Sequence, residues 1–179
     1  WVKTPSIEDE FPGRTGAIAF SYGVRVDCKA FAGLGITDFE TLGDIWKLSW
    51  HWDDEKGWCL DLKRLKDFPD CPRGDAVAFE NPLDSSEVLI TTGRQMLNEV
   101  FFDSTWAFNM ATEEWRKERP FDGCPRCQAS AISLNGRAFL IGGSIEETFT
   151  AYQQVPFIGY DFFGDFWELH PPYEGSAGK

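Results

Sequence analysis

Apolar and polar residues alternate in short runs along this chain, and the runs return in the same order three times. The first set enters through Ala17-Ile18-Ala19-Phe20 and comes back over residues 30–35. It continues in Asp44-Ile45-Trp46-Lys47-Leu48 and closes on a strand around Trp58. The second runs through Ala76-Val77-Ala78-Phe79, residues 88–93, residues 103–108 and Trp115. The third passes Ala129-Ser130-Ala131-Ile132, turns at Asn135-Gly136, returns over 138–143 and reaches 165–169. Alternation at period two, broken by turn residues, predicts antiparallel strands. Asn-Gly is the firmest of the turn signals, because a two-residue type I′ turn needs positive φ at both central positions. No segment carries a helical apolar stripe, and residues 61–66 are too short and too charged to form one.

The repeat is also visible in single residues. Trp46, Trp106 and Trp167 lie 60 and 61 positions apart, Trp1, Trp58 and Trp115 lie 57 and 57 apart, and Arg14, Arg73 and Arg126 lie 59 and 53 apart. Four strands per unit cannot bury both faces of a sheet alone, so each unit must stack on its neighbours. The tryptophans are expected to wedge between adjacent sheets with each indole N–H on a carbonyl. The arginines are expected in a packing or hydrogen-bonding role repeated once per unit.

An Arg at the start, a paired Gly ending the second strand, an Asp-x-aromatic strand and a downstream Trp together resemble the kelch repeat. Gly142-Gly143 matches the double glycine outright, while Gly33-Leu34-Gly35 and Thr92-Gly93 are looser variants. The resemblance implies an all-β fold, a kelch-type β-propeller of four-stranded antiparallel blades around a channel. On that reading residues 1–12 form the outer strand of a preceding or partner blade. Residues 13–60, 61–118 and 119–172 form three blades, the last without its own outer strand, and 173–179 form a tail. Three blades do not close a ring, so completion is expected either from upstream blades of a longer chain or from another copy by strand exchange. The chain opens on Trp1 rather than Met, which reads as a processed or trimmed piece.

Charge narrows the partners. With 17 basic and 29 acidic residues the net charge is −12, which argues against nucleic acid and anionic membrane surfaces. No apolar run approaches the roughly 18 residues of a membrane span. The five cysteines, Cys28, Cys59, Cys71, Cys124 and Cys127, are too few for a disulfide scaffold. Free thiols, a disulfide or a metal site on the lone Cys124-x-x-Cys127 all stay open, as does the compartment, with a glycan ligand pointing to a secreted or cell-envelope setting.

Candidate chemistry follows from the resemblance. In kelch propellers the loops between second and third strands gather on one binding face, here residues 36–43, 94–102 and 144–164. The last loop is the longest and densest in aromatics. The candidate ligand-binding residues are Arg94, Phe149, Tyr152, Phe157 and Tyr160, serving a protein partner or a glycan. Copper radical oxidases of this family need two histidines, two tyrosines and a cysteine cross-linked to one of them. His51 and His170 stand at unequal offsets from their strand motifs and no tyrosine has a Cys in register, so no cofactor, metal or catalytic residue is expected here. The predicted function is a non-catalytic binding module. The alternatives are part of a sugar oxidase or epimerase with its active site elsewhere, and a unit that oligomerises by strand exchange.

Overall fold

A computed structural model describes residues 11–23, 28–96, 100–150 and 156–170. These residues are all-β, with no helix among them, and every strand pairing is antiparallel. The first sheet is an up-and-down meander of β1 (Ile18–Tyr22), β2 (Lys29–Ile36), β3 (Thr41–Asp53) and β4 (Gly57–Arg64). The second begins with β5 (Val77–Asn81) and β6 (Asp84–Thr91). A small hairpin of β7 (Arg94–Gln95) and β8 (Val100–Phe101) intervenes before β9 (Trp106–Asn109) and β10 (Glu114–Lys117) complete the sheet. The third pairs β11 (Ser130–Leu134) with β12 (Arg137–Ile141) around the predicted Asn135-Gly136 turn, where φ is 53° and 70°. After the hairpin β13 (Ser144–Thr150) and β14 (Pro156–Phe162), β15 (Phe166–Leu169) joins β12.

The sheets stack in chain order, with β5 beside both β1 and β11. Alternation puts Ile18, Phe31, Leu34 and Ile45 of the first sheet on one face, against Val88, Ile90 and Phe108 of the second, with Phe68 and Met110 closing the cluster. Phe31 stands 5.4 Å from Phe108, edge to face. Each such buried side chain contributes about 1.5–3 kcal/mol, so a sheet that could not hold its own face is held by its neighbour.

Every unit is tied at one corner by the same set of side chains. Arg14 bonds both oxygens of Asp44 (2.5 and 2.9 Å) and the Leu34 carbonyl, while Asp44 Oδ2 accepts from Trp46 Nε1 at 2.6 Å. Arg126, Asp165, the Gly142 carbonyl and Trp167 repeat that arrangement. The indole N–H groups thus meet carboxylates, not carbonyls. In the second unit the register position of Asp44 is Ser104, and the carboxylate comes from Asp70 instead. It accepts from Arg73 (2.9 Å), Ser104 (2.7 Å) and Trp106 Nε1 (3.1 Å). Phe11, Phe68 and Phe121 complete each corner, lying under the guanidinium and edge-on to the tryptophan.

The glycine signature resolves into two positions. The second glycine (Gly35, Gly93, Gly143) has φ of 109°, 97° and 102°, and a Cβ there would stand 2.8 Å from the carbonyl oxygen of Thr15, Gly74 or Cys127. Only glycine fits. The first position has φ of 55°, 61° and 63° at Leu34, Thr92 and Gly142, so side chains are carried there at a cost in strain. Thr92 is fully buried and its hydroxyl has no partner.

The second tryptophan series is not structurally equivalent. Trp115 lies opposite Phe108 in the β9–β10 register and packs at 4.6 Å from it and 5.3 Å from Phe68. The corresponding residue in the first sheet is Leu62, opposite Leu48, because β3 and β4 run four pairs further, from Trp50↔Leu60 to Asp53↔Gly57. This arm extends roughly 13 Å beyond the second sheet's hairpin. Trp58 lies near its tip, 69% exposed, with Trp50 and Trp52 also exposed on the same face. Trp58 is therefore no inter-sheet wedge. Trp1 lies outside the described residues.

Candidate functional site

Each strand that leads to the inter-strand loops is pinned by an isolated bridge just past the glycine corner: Thr15↔Ile36, Gly74↔Arg94 and Cys127↔Ser144. Arg94 is thereby fixed at its backbone, with both amide and carbonyl bonded to Gly74 at 2.9 Å. Its side chain reaches Asp75 Oδ2 through Nε (2.9 Å) and Glu146 Oε2 through Nη1 (3.2 Å). All three side chains are mostly buried. Burial alone would lower the Arg94 pKa, but the bond and charge of Asp75, with the Glu146 charge behind them, raise it, so the cation is permanent.

The long 144–164 segment is a β-hairpin rather than a loop. Ser144 pairs with Phe162, Glu146 with Tyr160, and Phe149 with Phe157. The Arg94–Glu146 bond thus ties the second unit's loop to this hairpin and puts Tyr160, across from Glu146, beside the ion pair. Tyr160 and Phe162 lie 6.2 Å apart, 49% and 80% exposed. Phe149 and Phe157 are register partners further along the hairpin, and Tyr152 lies outside the described residues. Asp75, Glu146 and Phe162 were not among the sequence candidates. Glu146 could have been found, because a carboxylate two residues past Ser144 on a β-strand shares Ser144's face.

Beside this cluster Cys127 is buried, its sulfur 3.8 Å from Ser144 Oγ, and burial raises its pKa, which keeps the thiol protonated and unreactive. All five cysteines are free thiols, so Cys124-x-x-Cys127 is not a disulfide. Among the described residues no three His, Cys, Asp or Glu side chains converge as a metal site. His51 bonds Asp61 at 2.7 Å on the arm, and His170 stands 3.7 Å from Glu168 at the end of β15. The described residues therefore do not assemble the ligand set of a copper radical oxidase.

A second concavity, a cleft of about 830 Å³, opens between the second and third sheets. Its floor is apolar, with Leu89, Leu140, Phe121 and Trp167, and Arg116, Arg119, Glu168 and His170 stand around it.

No family model and no curated protein matches the sequence. Solved structures do match the fold. One is a fungal alcohol oxidase of the AA5 family in complex with copper, 15% identical, with a TM-score of 0.60 over 74% of this chain and 27% of that one. Another is YjhT, 18% identical, with a TM-score of 0.54 over 75% of this chain and 36% of that one. The fold is of the kelch, galactose-oxidase-like kind. The likeness extends to the fold alone, and the chain spans about a third or less of either protein's length.

Proposed function

We propose that this chain is a non-catalytic, kelch-type propeller segment that binds a glycan on its loop face. The observation that carries this is the pair of exposed rings, Tyr160 and Phe162, next to the Arg94–Glu146 ion pair. Rings of this kind stack on the apolar faces of sugars, and anchored charged groups beside them bond hydroxyls. The net charge of −12 disfavours polyanionic ligands and leaves neutral sugars unopposed. A glycan array followed by calorimetry tests this. Binding by the native chain, lost in the Tyr160→Ala/Phe162→Ala double variant, supports it. An empty array beside specific capture of a protein replaces the glycan with a protein partner.

A second reading has one observation in its favour, the likeness to an alcohol oxidase of which this chain spans 27%. On that reading the chain is part of a carbohydrate-active enzyme whose reacting groups lie outside residues 1–179. Sugar turnover by a longer polypeptide containing this chain, with no glycan held by the chain alone, would favour it.

A further inference from the structure

Past Leu48 the β3–β4 hairpin leaves the stack of sheets. Glu113, in the β9–β10 turn of the second sheet, reaches back to Lys47 Nζ (2.8 Å) and Lys63 Nζ (3.4 Å), which are register partners across β3 and β4. Further out on that same face, His51 bonds Asp61 with both side chains about half exposed. The arm is thus bare even on the side where a neighbouring sheet is present. A sheet of the same length on the other side would stop equally short of Trp52 and Trp58.

The two faces of the arm are unlike. Ser49, His51, Cys59 and Asp61 share one, while Trp50, Trp52, Trp58 and Leu60 share the other. The three tryptophans are 56%, 59% and 69% exposed, which leaves about 450 Å² of ring surface in water. A ribbon that only had to be solvated would be polar on both sides, and an exposed apolar patch of this size marks an interaction surface. The ribbon is also stiff before anything binds. Its register runs unbroken to Asp53↔Gly57, and Trp52 meets Trp58 edge to face at 5.7 Å. Asp53 Oδ1 closes the turn by accepting from the amides of Glu55 (3.0 Å) and Lys56 (2.8 Å).

Charge decides what fits there. Asp54 and Glu55 are exposed at the tip and enter no ion pair among the described residues. With Asp53 beside them and Lys56 opposing, the tip is negative, on a chain whose net charge is −12. A second copy of the arm would bring the same negative tip, and about 450 Å² falls well short of the roughly 800 Å² per partner of a stable interface. A lipid surface would have to take the tip carboxylates into its headgroup layer along with the rings. An arginine side chain meets neither obstacle, because its planar guanidinium stacks on an indole face and donates to a carboxylate beside it.

We propose that the β3–β4 arm docks an arginine-bearing peptide segment of a partner protein. Its guanidinium groups stack on Trp50, Trp52 and Trp58 and pair with Asp54 and Glu55. The surface is separate from the loop face. β3 leaves that face at Thr41 and reaches the tip at Asp53, thirteen residues or about 40 Å of strand. The contact area places the complex in the weak, transient class.

Isothermal titration calorimetry of the whole chain with an octapeptide of alternating arginine and alanine tests the proposal. The solution holds about 0.15 M salt, so that charges beyond about 8 Å are screened. The arginine peptide is expected to bind, and the same peptide with glutamate in place of arginine is not. Asp54→Lys/Glu55→Lys leaves the rings untouched, and Trp50→Ala/Trp58→Ala leaves the carboxylates. Each is expected to weaken binding about tenfold with the β-sheet circular dichroism retained. Asp38→Lys/Glu40→Lys makes the same change in net charge at exposed positions near the other end of β3, and is expected to leave binding within about twofold. No binding of the arginine peptide overturns the proposal. So does binding that both arm variants keep, or that falls as far in Asp38→Lys/Glu40→Lys as in the tip variant. Capture by phosphatidylcholine vesicles that is lost in Trp50→Ala/Trp58→Ala, with no peptide bound, replaces the peptide with a lipid surface. Tyr160→Ala/Phe162→Ala is expected to bind the peptide as the native chain does, so this proposal and the glycan reading fail separately.

Discussion

Moving one carboxylate in the second unit should be nearly reversible, and the movement measures what the arginine corner contributes. Asp70 accepts from the buried Arg73 (2.9 Å), from Ser104 (2.7 Å), from Trp106 (3.1 Å) and from the Cys71 amide (2.8 Å). Burial pushes its carboxyl up, but the Ser104, Cys71 and Trp106 bonds and the Arg73 charge outweigh that and hold it below the ordinary carboxylate range. Asp70→Ala leaves a guanidinium with no side-chain exposure and without its counter-ion. Removing one partner of a buried pair costs about 3–5 kcal/mol. Arg73 keeps the carbonyls of Cys71, Thr92 and Ser104, which places the loss near the low end, about 3 kcal/mol. Ser104→Asp alone puts a second carboxylate beside the first and should cost about 1 kcal/mol. Together they recreate the arrangement of Asp44 and Asp165, so the double variant should fall within about 1 kcal/mol of the native chain, a coupling of about 3 kcal/mol. Urea unfolding of the four proteins, followed by tryptophan fluorescence, reads these values. A loss below about 0.5 kcal/mol for Asp70→Ala, or no rescue by Ser104→Asp, refutes the account of the corner.

Two further outcomes follow from the same geometry. Trp115→Ala removes a ring packed on Phe108 and Phe68 and should cost about 3 kcal/mol, while Trp58→Ala on the exposed arm should cost under about 1 kcal/mol, so equal shifts in urea midpoint would show the arm to be packed. Asp44, Asp70 and Asp165 are all held below the ordinary value of 3.8, Asp165 at about 2 chiefly by the Arg126 bond. Their contribution is complete above pH 3.8 and is lost as pH falls through the lowered values, so melting temperature should drop between about pH 4 and 2, with a shallower drop in Asp165→Asn. A melting temperature flat over that window would exclude the linkage.

The sequence was most legible where one residue type is forced by geometry. The second corner glycine recurs because a Cβ there meets a carbonyl oxygen, and Asn135-Gly136 marks its turn because both residues need positive φ. The arginine series was readable for the same reason, since one guanidinium must satisfy a corner carbonyl and a carboxylate in each unit. Spacing misled where it counted residues without register. The 57-residue interval between Trp58 and Trp115 is matched by a longer hairpin and a longer connection, not by equivalent positions. The signal that separates them lies in the alternation itself. Trp46, Leu48, Trp50 and Trp52 stay in phase past the end of the sheet, and Trp58, Leu60 and Leu62 mirror them. Seven apolar residues in one phase describe a face longer than any sheet of this size needs.

The site was less legible because it depends on contacts between units. Arg94 could be placed on the loop face from its position, but its partners are Asp75, 19 residues before it, and Glu146, 52 residues after it. Neither spacing belongs to the repeat. Two carboxylates on one guanidinium leave the cluster with a net negative charge. A ligand with a carboxylate or phosphate would meet repulsion there, while a hydroxyl can donate to Asp75 or Glu146 without displacing the arginine. On the proposed glycan reading, the charge balance of these three side chains favours neutral sugars over acidic ones. Glu146→Gln, which removes one negative charge from the cluster, should shift selectivity toward acidic sugars, and unchanged selectivity on the same array would place the ligand elsewhere.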